Sequence, residues 1–202
     1  MTDAEKIQGD EDREHVFLSR NGDLDAFEML VNKHEKRMFN IAYRIAGDLE
    51  DAAEIVQDAF FSAHRNLKNF EQKSRFSTWL YSITVNTAKN RLAQARAKNR
   101  HETHCLDDPS SHEEGKKNFE LSSNEPSALN LLINKDRQKS VQECLSRLDQ
   151  DFRSLIVLRD IQGFSYAEIG DMLAIAEGTV KSRLFRARDA IRDCLKKLLG
   201  DW

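Results

Sequence analysis

Apolar side chains recur at steps of three and four along most of this chain, and almost nowhere at steps of two. The first such run follows Asp23, a residue type that accepts hydrogen bonds from the free N–H groups opening a helix. Phe27, Leu30, Val31, Met38, Ile41, Ala42 and Ile45 then share one face, and Gly47 ends the run. A second helix is predicted from Glu50 to about Asn66, with Ile55, Val56, Ala59, Phe60 and Ala63 inward. The polar stretch NFEQKSRF interrupts. A third helix starts near Ser77 and carries Trp79, Leu80, Ile83, Ala88 and Leu92. From about Arg100 to Pro126 the pattern disappears; it resumes near Leu129 and continues to the end.

The last stretch has finer detail. Ser165 and Glu168 have the spacing of a capping box, in which each side chain bonds the other's backbone N–H. Ile169, Met172 and Leu173 make a short apolar face, and AIAEG supplies a turn, with Ile175 and Ala176 poor N-caps for the next helix. Val180, Leu184, Ala187, Ile191, Leu195 and Leu198 then form one stripe along a longer helix. This is a helix-turn-helix.

Composition supports an all-α reading. Eight Gly and two Pro leave few places for tight turns, and a charged fraction of 32% covers small cores with much surface. Two small helical domains are expected, at 14–98 and 129–202, joined by a linker at 99–128. Residues 101–126 hold seven acids and two bases, a net of -5, which suits a flexible acidic tether. No apolar run approaches the ~20 residues of a membrane span. The polar, acidic N-terminus fits neither a signal nor a transit peptide. Cys105, Cys144 and Cys194 are odd in number and far apart, so no disulfide framework is expected, and the chain suits a reduced cytoplasm.

Charge is placed unevenly. The whole chain carries a net of -3, yet residues 181–197 hold seven bases and two acids, a net of +5. At about 100° per residue, Ser182, Phe185, Arg186 and Asp189 lie opposite the apolar stripe, flanked by Lys181, Arg183 and Arg188. A solvated helix face accounts for charge alone. It does not account for Phe185 facing water, nor for the bases clustering where a helix-turn-helix enters the major groove. A local basic patch binds phosphate whatever the total charge.

Three motifs in order then narrow the class: DAAEIVQDAFFSAHRNL, FSTWLYSITVNTAKNRL and SYAEIGDMLAIAEGTVKSRLFRAR. Together they resemble bacterial sigma factors of the extracytoplasmic-function group, the smallest members of the sigma-70 family. The resemblance implies a promoter-specificity subunit of RNA polymerase without catalytic activity or cofactor. Under it, Asp51, Glu54, Gln57, Asp58 and Phe60 dock on the beta-prime coiled coil, and the beta flap is a second polymerase contact. Thr179, Lys181, Ser182, Arg183, Phe185, Arg186 and Arg188 meet the -35 element. Phe70, Phe76, Asn86, Lys89, Asn90 and Arg91 serve the -10 element, with the loop at 70–77 holding an extruded base. An anti-sigma factor is an expected inhibitory partner.

The residues agree in part. Asp51, Glu54 and Asp58 share one helix face. Residues 86–100 hold five bases and no acid. Cations beside aromatic rings suit single-stranded DNA, although Trp79 and Phe76 are equally suited to a core. HETHC at 101–105, with His112, lacks the spacing and supporting shell of a zinc site, so no metal is expected. A free-standing helix-turn-helix regulator is the alternative. It leaves DAAEIVQDAF and VNTAKNRL without a purpose.

Overall fold

The computed structural model describes residues 11–102 and 128–200. They form eight α-helices: α1 Arg13–Arg20, α2 Leu24–Ala46, α3 Leu49–Asn66, α4 Phe76–Glu102, α5 Ala128–Arg147, α6 Gln150–Ile156, α7 Tyr166–Leu173 and α8 Glu177–Leu199. A 3-10 turn at Leu67–Asn69 follows α3, and a π-helical turn at Val157–Ile161 extends α6. The described residues contain no strand, as the periodicity requires.

Local chemistry sets the helix ends. The Asp23 carboxylate accepts from the Ala26 N–H at 3.0 Å. The Asp48 carboxylate accepts from the N–H groups of Glu50 and Asp51 at 2.8 and 2.9 Å. Between α2 and α3, Gly47 takes φ +87°, a left-handed conformation that costs glycine nothing. The expected second helix therefore starts one residue earlier, at Leu49.

Met38, Ile41, Ile45, Ile55, Leu67 and Leu80 are almost wholly buried where α2, α3 and α4 meet. Their apolar cluster continues without a break into Leu145, Leu155, Leu158, Ile169, Val180 and Leu184 of the second half. The two helical halves are thus packed against each other. Arg153, 5% exposed, is one cause. Its guanidinium donates to the Ile45 carbonyl across the junction, and to the carbonyls of Ser146 and Leu148 at 2.6 and 3.1 Å within its own half. Burial pushes its pKa down, with repulsion from Arg96 adding to this.

Two features depart from expectation. Helix α1 was not marked by the apolar pattern. It forms because Val16 packs into the core and Asp12, ahead of it, meets His34 of α2 at 2.7 Å. Second, Cys144 of α5 and Cys194 of α8 are disulfide-bonded, their Cα atoms 5.7 Å apart. The expectation of no disulfide fails because the packing of α5 on α8 joins cysteines 50 residues apart, a pairing that sequence spacing hides. Cys105 and most of the acidic linker lie outside the described residues.

Candidate nucleic-acid interface

The helix-turn-helix forms as its sequence implies. The Ser165 N–H donates to Glu168 Oε2 at 2.8 Å, and the Glu168 N–H to Ser165 Oγ at 3.2 Å. The turn into α8 passes so close to Gly170 that a Cβ there would lie 2.8 Å from the Ile175 carbonyl oxygen. Ala174 supplies the left-handed cap, φ +53°. Ala176 opens α8 without a side-chain cap, as expected of a poor N-cap.

Val180, Leu184 and Ala187 are buried, which turns the opposite face of α8 outward. Phe185 is 69% exposed there. Lys181, Ser182, Arg186 and Arg188 are also exposed, while Thr179 and Arg183 are half-buried. Most of the cations are held. Lys181 pairs with Glu177 at 2.7 Å, Arg183 with Asp151 at 3.4 Å and Arg188 with Asp160 at 2.5 Å. The Ser182 hydroxyl donates back to the Thr179 carbonyl at 3.1 Å. Arg186 makes no ion pair among the described residues.

On α4, Asn86 and Asn90 are exposed and Lys89 and Arg91 half-buried. Lys89 pairs with Asp151 at 2.7 Å. Hydrogen bonding to Lys89 holds the Asp151 carboxyl below its usual range, against an opposing contribution from burial. Arg91 gathers the acidic face of α3: it pairs with Glu54, and lies 3.4 Å from Asp51 and 3.7 Å from Asp58.

Phe70 and Phe76, expected at the -10 site, are 5% and 0% exposed and lie in the core. Phe76 sits among His34, Phe70 and Trp79, and Phe70 stacks on Trp79 with ring centres 4.7 Å apart. The polar residues between them leave these rings as the only apolar anchors for loop 70–77, and burial wins. Trp79 is half-buried and borders a cleft of about 810 Å³. Arg37, Lys73 and Arg75 line one side of it, and Glu168 and Asp171 of α7 the other.

Phe60 is buried, inward as the apolar stripe of its helix predicts. It floors an apolar groove of about 880 Å³ with Phe27, Val31, Phe39 and Val56, and Gln57 lies on its edge. The exposed ring is its neighbour Phe61, 62% exposed, which the apolar stripe did not single out. Asp151 was missed as well. Nothing in its local sequence points to partners on two other helices.

Of the linker histidines, His104 and His112 lie outside the described residues. Among the described residues no group of three or more His, Cys, Asp or Glu is placed to hold a metal. Among them, too, no helix is long and apolar enough to cross a membrane.

The family model Sigma-70 region 2 matches residues 30–98, and Sigma-70 region 4 matches residues 138–191. The chain is 33% identical over 192 residues to the RNA polymerase sigma-H factor of Pseudomonas aeruginosa, covering 95% of this chain and 97% of that one. It is 36% identical over 191 residues to the ECF RNA polymerase sigma-E factor of Escherichia coli, covering 92% and 96%. Two solved structures are similar in fold. CnrH in complex with the cytosolic domain of CnrY has TM-score 0.61 at 24% identity, covering 92% of this chain and 97% of that one. The sigma factor RpoE with the anti-sigma factor NepR from Bartonella quintana has TM-score 0.63 at 20% identity, covering 84% and 96%.

Proposed function

This chain belongs to the sigma-70 family, in its extracytoplasmic-function branch, and we propose how its surfaces divide the work of a sigma factor in transcription initiation. The α7–α8 helix-turn-helix reads the -35 element as duplex, with Arg186 and Phe185 at base edges and Lys181, Arg183 and Arg188 near phosphates. Asn86 and Asn90, backed by Lys89 and Arg91, read the -10 strand from α4. The acidic face of α3 and the groove beside it take the basic coiled coil of the beta-prime subunit, with Phe61 the anchoring ring. The beta flap meets the second half at the apolar trough between α5 and α8, lined by Val141, Leu145, Ile191 and Leu195. The chain supplies no catalytic group of its own and works in the cytoplasm. Its domains are residues 14–98 and 129–202.

The observation that carries this reading is the adjacency of Phe185 and Arg186. A large ring in water is unfavourable, and an arginine beside it on the outward face, without an ion pair among the described residues, suits a base edge and a thymine methyl. Run-off transcription by core polymerase, with and without the chain, tests the proposal. Promoter-specific transcripts should depend on the chain. Specific nanomolar binding of a promoter by the isolated chain, without such transcripts, would replace this reading with a free-standing regulator.

An inhibitory protein that covers polymerase-facing surfaces belongs to the same reading, because one similar fold, RpoE, is solved with an anti-sigma factor. A pull-down from unstressed cells should recover it in stoichiometric amount.

The two DNA-reading elements should fail differently. Arg186→Ala should weaken -35 binding by about 1–3 kcal/mol if the guanidinium is bidentate to guanine. If it meets only phosphate, the loss should be uniform across sequences, with a salt slope smaller by about one. Fluorescence anisotropy on variant duplexes decides. Asn86→Ala should leave closed-complex binding intact and reduce strand opening. A pre-melted -10 region should restore opening but with relaxed preference at one base, as read by permanganate footprinting. Normal opening and unchanged preference would return Asn86 to the role of a surface amide.

A further inference from the structure

Loop 70–77 leads into α4, the helix that the proposed function assigns to the -10 strand. Asn86 lies nine residues beyond Ser77, about 14 Å along the helix axis at 1.5 Å per residue. A strand lying along α4 at Asn86 therefore reaches the loop within a few nucleotides. The loop has no regular structure of its own to fix it: none of the residues from Phe70 to Arg75 is helical. Gln72 takes φ +54°, a left-handed conformation that residues other than glycine seldom hold unless their surroundings fix it.

The fixing comes from α1, and it reaches both ends of the loop. Arg20 is the last residue of α1. Its guanidinium donates to the Lys68 carbonyl at 3.1 Å and to the Phe70 carbonyl at 3.3 Å. Those carbonyls belong to the 3-10 turn after α3 and to its cap. Carbonyls at a helix end lack partners within the helix, and a cation there is favourable. At the far end of the loop, the His34 ring meets Phe76 with centres 5.6 Å apart. His34 is held in turn by Asp12, the residue ahead of α1, at 2.7 Å. Val16 ties α1 itself into the core. The buried rings of Phe70 and Phe76 keep the two ends of the loop in the core. A ring in an apolar site does not by itself fix the backbone beside it, whereas a planar fork on two carbonyls does.

We infer that Arg20 is a positioning residue for capture of the -10 strand: it sets the backbone of loop 70–77 without touching DNA itself. The inference rests on the proposed assignment of the -10 strand to α4 and adds the loop before it. Taking a base out of its stack costs free energy. A loop that had to order itself around that base would add its own conformational cost. Arg20 removes the second cost in advance, through two bonds that its charge strengthens. With the backbone held, Lys73 and Arg75 stay on the exposed side of the loop, where cations suit a passing phosphate backbone.

The test uses the full chain with core polymerase. Arg20→Ala removes both bonds. Arg20→Lys keeps the charge but loses the fork. Arg13→Ala is the control, because it removes an exposed cation from the other end of the same helix. Permanganate footprinting reads strand opening, and 2-aminopurine in the non-template -10 strand reads an unstacked base by its fluorescence. Arg20→Ala should open a duplex promoter about tenfold more slowly, the loss of one or two net hydrogen bonds expressed as a rate. Its affinity for core polymerase and its closed-complex binding should match wild type. On a pre-melted promoter, opening should recover, while the fluorescence of the unstacked base and the preference at that base stay reduced. Arg20→Lys should fall between wild type and Arg20→Ala, and Arg13→Ala should match wild type. Normal opening and an unchanged unstacked base in Arg20→Ala overturn the inference. So does a loss shared equally by core binding, closed-complex formation and opening, which is the mark of a damaged fold. An opening defect of the same size in Arg13→Ala also overturns it, because charge alone then suffices. Loss of opening in Asn86→Ala with none in Arg20→Ala overturns the inference and leaves the proposed function standing. Wild-type chain that fails to start promoter-specific transcription removes the proposed function, and this inference with it.

Discussion

Reducing the Cys144–Cys194 bond should lower the stability of the C-terminal half by about 4 kcal/mol at 25 °C, from the chain-entropy relation for a loop of this length. The bond closes a loop spanning 50 residues. That loop contains α6, the π-helical turn, α7 and most of α8, which is the whole helix-turn-helix. In the unfolded chain it removes the freedom of that entire segment. In the folded chain α5 and α8 remain packed through Val180, Leu184 and Leu145 whether or not the sulfurs are joined. Chemical denaturation with and without reductant measures the difference, and Cys194→Ser should match the reduced wild type. Coincident midpoints for the oxidised and reduced chain would show that the bond contributes nothing. The half-buried position of Cys194 lies away from Phe185 and Arg186, so reduced protein that remains folded should keep its duplex preference.

Asp12→Ala should destabilise the N-terminal half by about 1–3 kcal/mol, the range for leaving a buried hydrogen-bond partner unsatisfied. Asp12 and His34 are both buried and 2.7 Å apart, and Lys33 adds a contact to the other carboxylate oxygen at 2.7 Å. Lys33 is half-exposed and can turn to water when its partner is lost, which keeps the cost at the lower end. Burial alone would raise the Asp12 pKa. The hydrogen bonds and charges of His34 and Lys33 outweigh burial and leave it below the ordinary value of 3.8. The sign comes from that lowering. The folded state binds the Asp12 proton more weakly than the unfolded state does, so the carboxylate's contribution is present above about pH 4 and is lost as pH falls through the folded value. The gap between wild type and Asp12→Ala should therefore be wide at neutral pH and narrow in acid. Denaturant midpoints from about pH 2 to pH 7, a span that reaches below the ordinary carboxyl value, measure it. A gap independent of pH would mean that Asp12 acts through packing rather than charge.

What the sequence determined by itself is what one helix or one turn contains. Asp23 and Gly47 bound α2, Ser165 and Glu168 form the capping box, and the stripe from Val180 to Ala187 turns Phe185 to water. Each of these depends on neighbours within about one turn, where helix geometry fixes which side chains meet. The order of the three motifs was legible for the same reason, since each is written along a single stretch of chain. Tertiary packing decided the rest. A stripe of spacing three and four says that a ring is inward or outward, but loop residues such as Phe70 have no such spacing, and Phe76 stands at a helix's first residue. Their burial depends on His34 reaching the same point from α2. The Cys144–Cys194 bond and the sharing of Asp151 by Lys89 and Arg183 are of the same kind. Each joins groups tens of residues apart, and the energy that brings them together comes from apolar surface spread over several helices. No short stretch of the chain encodes that sum.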